Sequence, residues 1–426
     1  MNNTRDLISK ELESYDNKPS IFIDESILTF DYLPKSLPHR DSQILELTRY
    51  FKGLFNQKVE DIFLRQTIIL LGSLGTGKTS TAKRFGKDLE NLSDLKIPYF
   101  KLVYRHFNCR THRSINILLV DILKSILPYY PKRGFSASEL IRDLFNTLET
   151  NNLYLVIALD EIDYLFYDDE INTLLYAFTR ISDTSNEVYN QRISLILITK
   201  NKDFVFLLDP SIKSSLAKNI IIFPVYNQNE IFDILIKRVK DSLIVDSVSD
   251  IILMRISEIS AEKGGDARLA IELLWRSAKI AESYHKLVIS PCHLRKAISS
   301  VVSFNKDLLA DLSLNEFLIL LSIAKGLDRD ISNYKIELHV IKNRFQHECE
   351  KNNNPINEKN LNIWPFIKKM YNYGLINIYT NNLPYKEFLI NNSKQEIKKT
   401  EISTDLPVEQ LIIELENLIS LNKNIP

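Results

Sequence analysis

Residues 68–85 read IILLGSLGTGKTSTAKRF, and this stretch decides the fold class. Four apolar residues run into a glycine cluster, and helical spacing follows directly behind it. Gly72 to Thr79 fit the pattern G-x-x-x-x-G-K-[ST] between a predicted strand and a predicted helix, the context that a phosphate-binding loop requires. Its glycines let backbone N–H groups approach phosphates, its lysine reaches the β- and γ-phosphates, and its hydroxyl ligates Mg²⁺. The 426-residue chain has only ten glycines, so the clustering of Gly72, Gly75 and Gly77 is itself informative. The expected contacts to ATP or ADP are Gly72, Gly75, Thr76, Gly77, Lys78, Thr79 and Ser80, with Thr79 also on Mg²⁺.

Outward from this loop, apolar runs alternate with amphipathic helical stretches. The candidate strands are QTIILLG (66–72), YFKLVYRHFN (99–108), LYLVIALD (153–160), ISLILIT (193–199) and NIIIFPV (219–225). Continuous apolar strands separated by helices indicate a parallel sheet buried on both faces. An α/β domain follows, with its ligand at the carboxyl ends of the strands. In LVIALDEIDYL, Asp160 is placed to hold the magnesium ion and Glu161 to polarise an attacking water. A pair of surface carboxylates ending a strand is the plainer reading, and the upstream phosphate loop weighs against it. Asp163 reads as the cap of the following helix.

The pattern changes beyond residue 226, where only helical periodicity remains, and again near residue 304. The third region holds three helical stretches and then the hairpin-like GLINIYTNNLPYKEFLI, the shape of a winged helix. The expected organisation is an arm (1–20), an α/β nucleotide-binding domain (21–225), a helical lid (226–303), a winged-helix domain (304–392) and a helical tail (393–426).

Bulk composition excludes several classes. Hydrophobic content of 45% and charged content of 25% describe an ordinary globular chain. No apolar run approaches the roughly 18 residues of a membrane span, and the polar N-terminus is unlike a signal peptide. Cys109, Cys292 and Cys349 show no metal-ligand spacing, and reduced thiols in a cytoplasmic, nucleoid-associated protein are expected. Lys plus Arg and Asp plus Glu balance at 54 each, so any nucleic-acid binding must come from a local patch.

The phosphate loop, the Asp-Glu strand end and a helical lid containing Gly-Asp-Ala-Arg together resemble the AAA+ ATPases. Within them, LPHRD (37–41), LDEIDYLF (159–166), LLDPSIKSSL (207–216), IIFPVYNQNEIFDIL (221–235) and GGDARLAIELLWRSAKIAE (264–282) resemble the archaeal initiators related to the origin recognition complex and the cell-division-control loader. The resemblance covers about residues 20–390. It implies that Arg268 is a second sensor reaching the γ-phosphate, that Tyr226 and Arg238 touch the nucleotide from the lid, and that LPHRD, with His39 and Arg40, lines the adenine pocket. Tyr226 reads equally as a hinge residue packed on the core. Two departures stand out. The family has Asn directly after the fourth strand, where this chain has Lys200 with Asn201 next, and Asp209-Pro210-Ser211 replaces the frequent Asp-Pro-Arg. Asn201 takes the catalytic role only through a one-residue shift, and both changes imply stable ATP binding over rapid turnover.

The same resemblance implies an extra helix at SINILLVDILKSIL (114–127) that touches a DNA duplex. The segment 101–138 is rich in cations, among them Arg110, Arg113 and Lys124, which suit phosphate contacts. From charge alone, a solvated helical face is an equal reading. In EKNLNIWPFIKKMYNYG (358–374), the candidate recognition helix, Asn360 suits base edges and Lys368 and Lys369 suit phosphates. Lys386 is the basic residue of the wing, Trp364 and Phe366 read as core, and Pro365 sets the helix start after itself. The implied function is an ATP-dependent replication initiator on double-stranded origin DNA that recruits the minichromosome maintenance helicase, with other initiator paralogues as further partners. A transcriptional regulator on the same scaffold and a signalling ATPase using its winged helix for protein contacts are the alternatives.

Overall fold

The computed structural model describes residues 19–55, 65–112, 114–131, 134–167, 171–180, 192–208, 212–213, 219–301, 309, 312–329, 335–352, 363–373, 375–380, 383–384, 400–404, 406 and 408–423. Arg113, Asn360, Lys386 and the Asp209-Pro210-Ser211 stretch lie outside them. The chain forms two compact units, one of Phe30–Leu235 with Ser257–Ala270, the other of the residues up to Thr29, Ile236–Ile256 and everything from Ile271 onward.

In the first unit the elements run α1 (Asp41–Phe51), β1 (Thr67–Leu71), α2 (Lys78–Lys96), β2 (Lys101–Asn108), α3 (Ile115–Ile126), α4 (Ala137–Thr150), β3 (Leu153–Asp160), α5 (Ile171–Arg180), β4 (Ile193–Thr199) and β5 (Ile220–Ile222). The five strands form one parallel sheet in the order β2-β3-β4-β1-β5. Side chains alternate across the sheet, so each strand feeds two cores. Leu155, Ile157 and Leu159 of β3 join α3, α4 and α5 on one face, while Tyr154, Val156 and Ala158 join α1 and α2 on the other. Burial on both faces explains why β4 is apolar almost throughout, with every residue buried. Ser136 and Glu139 cap α4 reciprocally. The sheet's carboxyl edge therefore gathers the loop after β1 and the ends of β3 and β4.

Three helices follow: α6 (Gln228–Ser242), α7 (Asp250–Glu262) and α8 (Ala267–Ser283). Three of the boundaries between the units, after Leu235, Ile256 and Ala270, fall within them.

The second unit continues with α9 (Pro291–Val301), α10 (Leu314–Arg329), β6 (Ile336–Glu337), α11 (Leu338–Lys351), α12 (Trp364–Asn372), β7 (Asn377–Thr380), β8 (Leu383–Pro384), β9 (Thr400–Ser403) and α13 (Val408–Lys423). Helices α10, α11 and α12 share one core with Ile378 of the hairpin β7–β8, the arrangement of a winged helix. Pro365 sits in the first turn of α12, which begins at Trp364, before the proline and not after it as expected. A first-turn proline loses no intrahelical bond there. Trp364 and Phe366 pack against the core as expected. Residues 400–403, read as part of a helical tail, form β9 between β6 and β7, and Leu411 and Leu415 of α13 are fully buried in the same core. No described helix is long and apolar enough to cross a membrane.

Candidate nucleotide-binding site

The chain leaves β1 at Leu71 and re-enters regular structure at Lys78, the first residue of α2. Gly75 and Gly77 adopt φ of 69° and 83°, the left-handed region that side chains disfavour. Both also face close neighbours. A Cβ on Gly75 would lie 1.7 Å from Asp266 Oδ1, and one on Gly77 would lie 2.8 Å from the Tyr226 hydroxyl. Gly77 gives α2 no side-chain cap, so the first-turn N–H groups remain available to an anion. Lys78 Nζ donates to Gly72 O (2.8 Å) and Ser73 O (2.7 Å) and is buried within the loop. Burial lowers its pKa to about 8, with Arg268 adding to the effect and Asp160 opposing it. A cation held in this way is stabilised by an incoming anion. These features fit a polyphosphate.

Across the loop lies the end of β3. Asp160 Oδ2 accepts from Thr79 Oγ1 (2.7 Å) and from His106 Nε2 (3.1 Å), and Oδ1 accepts from the Glu161 N–H (3.0 Å). Burial is the largest single influence on this carboxyl and pushes its pKa up. The bonds from His106, Thr79 and Glu161 outweigh it, so Asp160 titrates below the ordinary value. A hard divalent ion takes oxygen ligands and keeps several waters and phosphate oxygens. The adjoining Thr79 hydroxyl and Asp160 carboxylate fit that need, and among the described residues no cluster of three or more ligating side chains competes for it. Glu161 holds φ of 54°, a strained backbone for a non-glycine residue beside the site. Asp163, expected as a helix cap, lies inside the first turn of a 3-10 helix (Ile162–Tyr167), and its Oδ1 accepts from Thr199 Oγ1 at the end of β4 (2.6 Å), tying two strand ends together.

The segment before α8 closes the loop's other side. Ala267 N donates to Gly75 O (3.3 Å), Asp266 Oδ1 accepts from Arg268 N (2.8 Å), and the exposed Arg268 lines the same cavity as Lys78, Thr79, Asp160 and Glu161. Lys200 lines it too. Asn201 does not: its Oδ1 accepts from Asp203 N (2.9 Å) in the turn beyond β4. Arg40 stands beneath the loop instead of at its open face. It is 1% exposed and donates to Thr76 O, His39 O and Pro224 O, with its guanidinium 3.7 Å from the Tyr226 ring centre. His39 pairs with Asp233 at 2.8 Å, and Arg238 donates to Ile27 O within the second unit. Thr76 Oγ1 donates to Ser73 O, which leaves this hydroxyl committed within the loop. Ser80 lies in the first turn of α2.

Of the residues expected on DNA, Arg110 is exposed with its guanidinium 5.7 Å from the Tyr164 ring centre. Lys124 is half-buried on α3, whose apolar face (Leu118, Leu119, Ile122, Leu123) packs into the core. Lys368 is exposed, whereas Lys369 binds Glu316 at 3.0 Å. His106 was not anticipated. It is one of four polar residues on β2, with Lys101, Arg105 and Asn108, and its signal was a place near the carboxyl end of that strand, two positions before the Asn108 that pairs with Asp160 in the β2–β3 register.

Residues 68–225 match the model of the ATPase family associated with various cellular activities (AAA), and residues 232–299 match the Cdc6 AAA+ ATPase-type lid domain. The chain is similar to the ORC1-type DNA replication protein 2 of Sulfurisphaera tokodaii, with 29% identity over 98% of this chain and 95% of the relative. It is 32% identical to the protein of the same name from Sulfolobus acidocaldarius, over 84% and 86% of the two chains. Among solved structures, Cdc6p from Pyrobaculum aerophilum matches with a TM-score of 0.74 and 26% identity, over 95% of this chain and 100% of that one. The Aeropyrum pernix ORC1 protein in complex with DNA shares the fold at a TM-score of 0.59 and 24% identity, over 95% and 100%.

Proposed function

From the premise that this chain belongs to the ORC1-type DNA replication protein family of AAA+ ATPases, we propose that it is an ATP-dependent initiator that binds origin duplex DNA and recruits the replicative minichromosome maintenance helicase. The observation that carries the switch is the seam at Gly75, where Ala267 N meets the loop carbonyl and Arg268 enters the cavity of Lys78 and Asp160. A triphosphate held by the loop N–H groups and Lys78 gives Arg268 an anionic partner, which makes the lid's position depend on the γ-phosphate. Thr79 and Asp160 would hold Mg²⁺, which neutralises charge between the β- and γ-phosphates. Glu161 accepts the proton of the attacking water. Asn201 is engaged in its own turn and Lys200 stands in the cleft, so water is poorly oriented and hydrolysis is slow. ATP is then a latch and not a fuel.

The likeness to relatives named ORC1-type DNA replication protein supports DNA as the other ligand, with Arg110 and Lys124 in the first unit and Lys368 in the second as phosphate contacts. Other initiator paralogues are further partners. Genome-wide occupancy of wild type and Lys78→Ala tests this reading. A sharp peak beside a replication start, with helicase recruitment lost in the variant, is expected. Occupancy confined to promoters with normal replication would assign a transcriptional regulator instead, and turnover at motor-like rates would remove the latch.

A further inference from the structure

The Asp160 carboxylate is gripped from two elements at once. Thr79 reaches Oδ2 from α2 at 2.7 Å, and His106 reaches the same oxygen from β2 at 3.1 Å. The Asp160 side chain is 6% exposed and that of His106 is 14% exposed, so water is a weak competitor for this contact. An ionised carboxylate only accepts, which makes His106 Nε2 the donor and fixes the tautomer at that nitrogen. With Glu161 N on Oδ1, the plane of the carboxylate is set by three donors from three directions. Hydrogen bonds of this kind orient a ligating carboxylate, and their removal typically weakens metal binding about 10–100-fold.

We propose that His106 is a positioning residue for the magnesium-binding carboxylate, holding Asp160 in the orientation that makes nucleotide binding Mg²⁺-dependent. This rests on the reading of the loop as a Mg²⁺–nucleotide site. A histidine kept only for packing would stabilise the sheet and leave the metal dependence alone, so the two roles separate by experiment.

The full chain is titrated with a fluorescent ADP analogue in EDTA and across a Mg²⁺ series, for wild type, H106Q, H106N and H106L. Glutamine places an amide N–H near the position of Nε2, and asparagine falls about one methylene short. H106L and H106N are expected to need about tenfold more Mg²⁺ at the midpoint, with affinity in EDTA unchanged and with H106Q near wild type. Should H106L fail to fold, the H106Q and H106N pair carries the comparison. Equal Mg²⁺ midpoints in H106Q and H106N, or losses of equal size with and without Mg²⁺, overturn the proposal while leaving the nucleotide site intact. Wild type that binds the analogue with no Mg²⁺ dependence overturns both.

Discussion

Arg40 binds three carbonyls, those of Thr76, His39 and Pro224, with no carboxylate among them. Burial lowers its pKa, and the neighbouring Tyr226 and Glu230 oppose that shift. The guanidinium fork suits three acceptors in fixed directions, which one ammonium cannot span. Arg40→Ala removes the donor from the buried Thr76 carbonyl of the phosphate loop, at about 1–3 kcal/mol, and from the part-buried Pro224 carbonyl after β5. A clearly lower melting temperature and weaker nucleotide binding are expected, and Arg40→Lys should recover little of either. Glu316 poses the complementary case. Burial is the largest influence and pushes its pKa up, but the Ser313 backbone bond and the Lys369 ion pair outweigh it and leave the pKa depressed. A depressed folded pKa stabilises the protein above the unfolded value and loses that contribution as pH falls through the folded one. Acid melts should therefore show the second unit weakening below about pH 4.3. Glu316→Gln should flatten that dependence and lower stability at neutral pH. Lys369→Ala should act in the same direction on stability, which marks it as a structural cation.

At the scale of the element, helix α2 carries Gly86 mid-length, where propensity alone favours Ala by about 1 kcal/mol. A Cβ at Gly86 would come within 2.2 Å of the Tyr104 ring on β2, a flat group buried against the helix. Overpacking of this kind costs about 1–3 kcal/mol, so it decides the sign. Gly86→Ala is expected to lower the melting temperature, and a Gly86→Ala/Tyr104→Leu double variant to recover part of the loss. The sequence made the five parallel strands legible because double-sided burial writes them as unbroken apolar runs, and the phosphate loop because its glycines are spaced by chemistry. Strand β9 was hidden because TEIS is polar and becomes a strand by pairing with β6 and β7, a tertiary effect that local pattern does not carry. Arg40 and His106 were obscured for the same reason. The partners that define them, Pro224 and Asp160, are remote in sequence, and LPHRD marks proximity to the site without marking burial.

For the whole molecule, the formal charge of zero removes any long-range attraction to DNA. Affinity then arises from the few phosphates that exposed cations neutralise, and each contact adds about −0.9 to the slope of log K against log salt. Arg110 and Lys368 are exposed cations of the two units. Arg110→Ala and Lys368→Ala should each reduce the slope by about one and weaken binding to all duplexes alike. Lys369→Ala is the control, since its ammonium is held by Glu316: after correction for stability its slope should equal that of wild type. Binding isotherms on a duplex across a salt series, with ADP and with a non-hydrolysable ATP analogue, read all of these at once. If the latch acts as proposed, the nucleotide changes the intercept, because it changes how many molecules are competent to bind. The slope stays the same, because the phosphates contacted stay the same. A slope that changes with nucleotide would instead mean that ATP creates new DNA contacts.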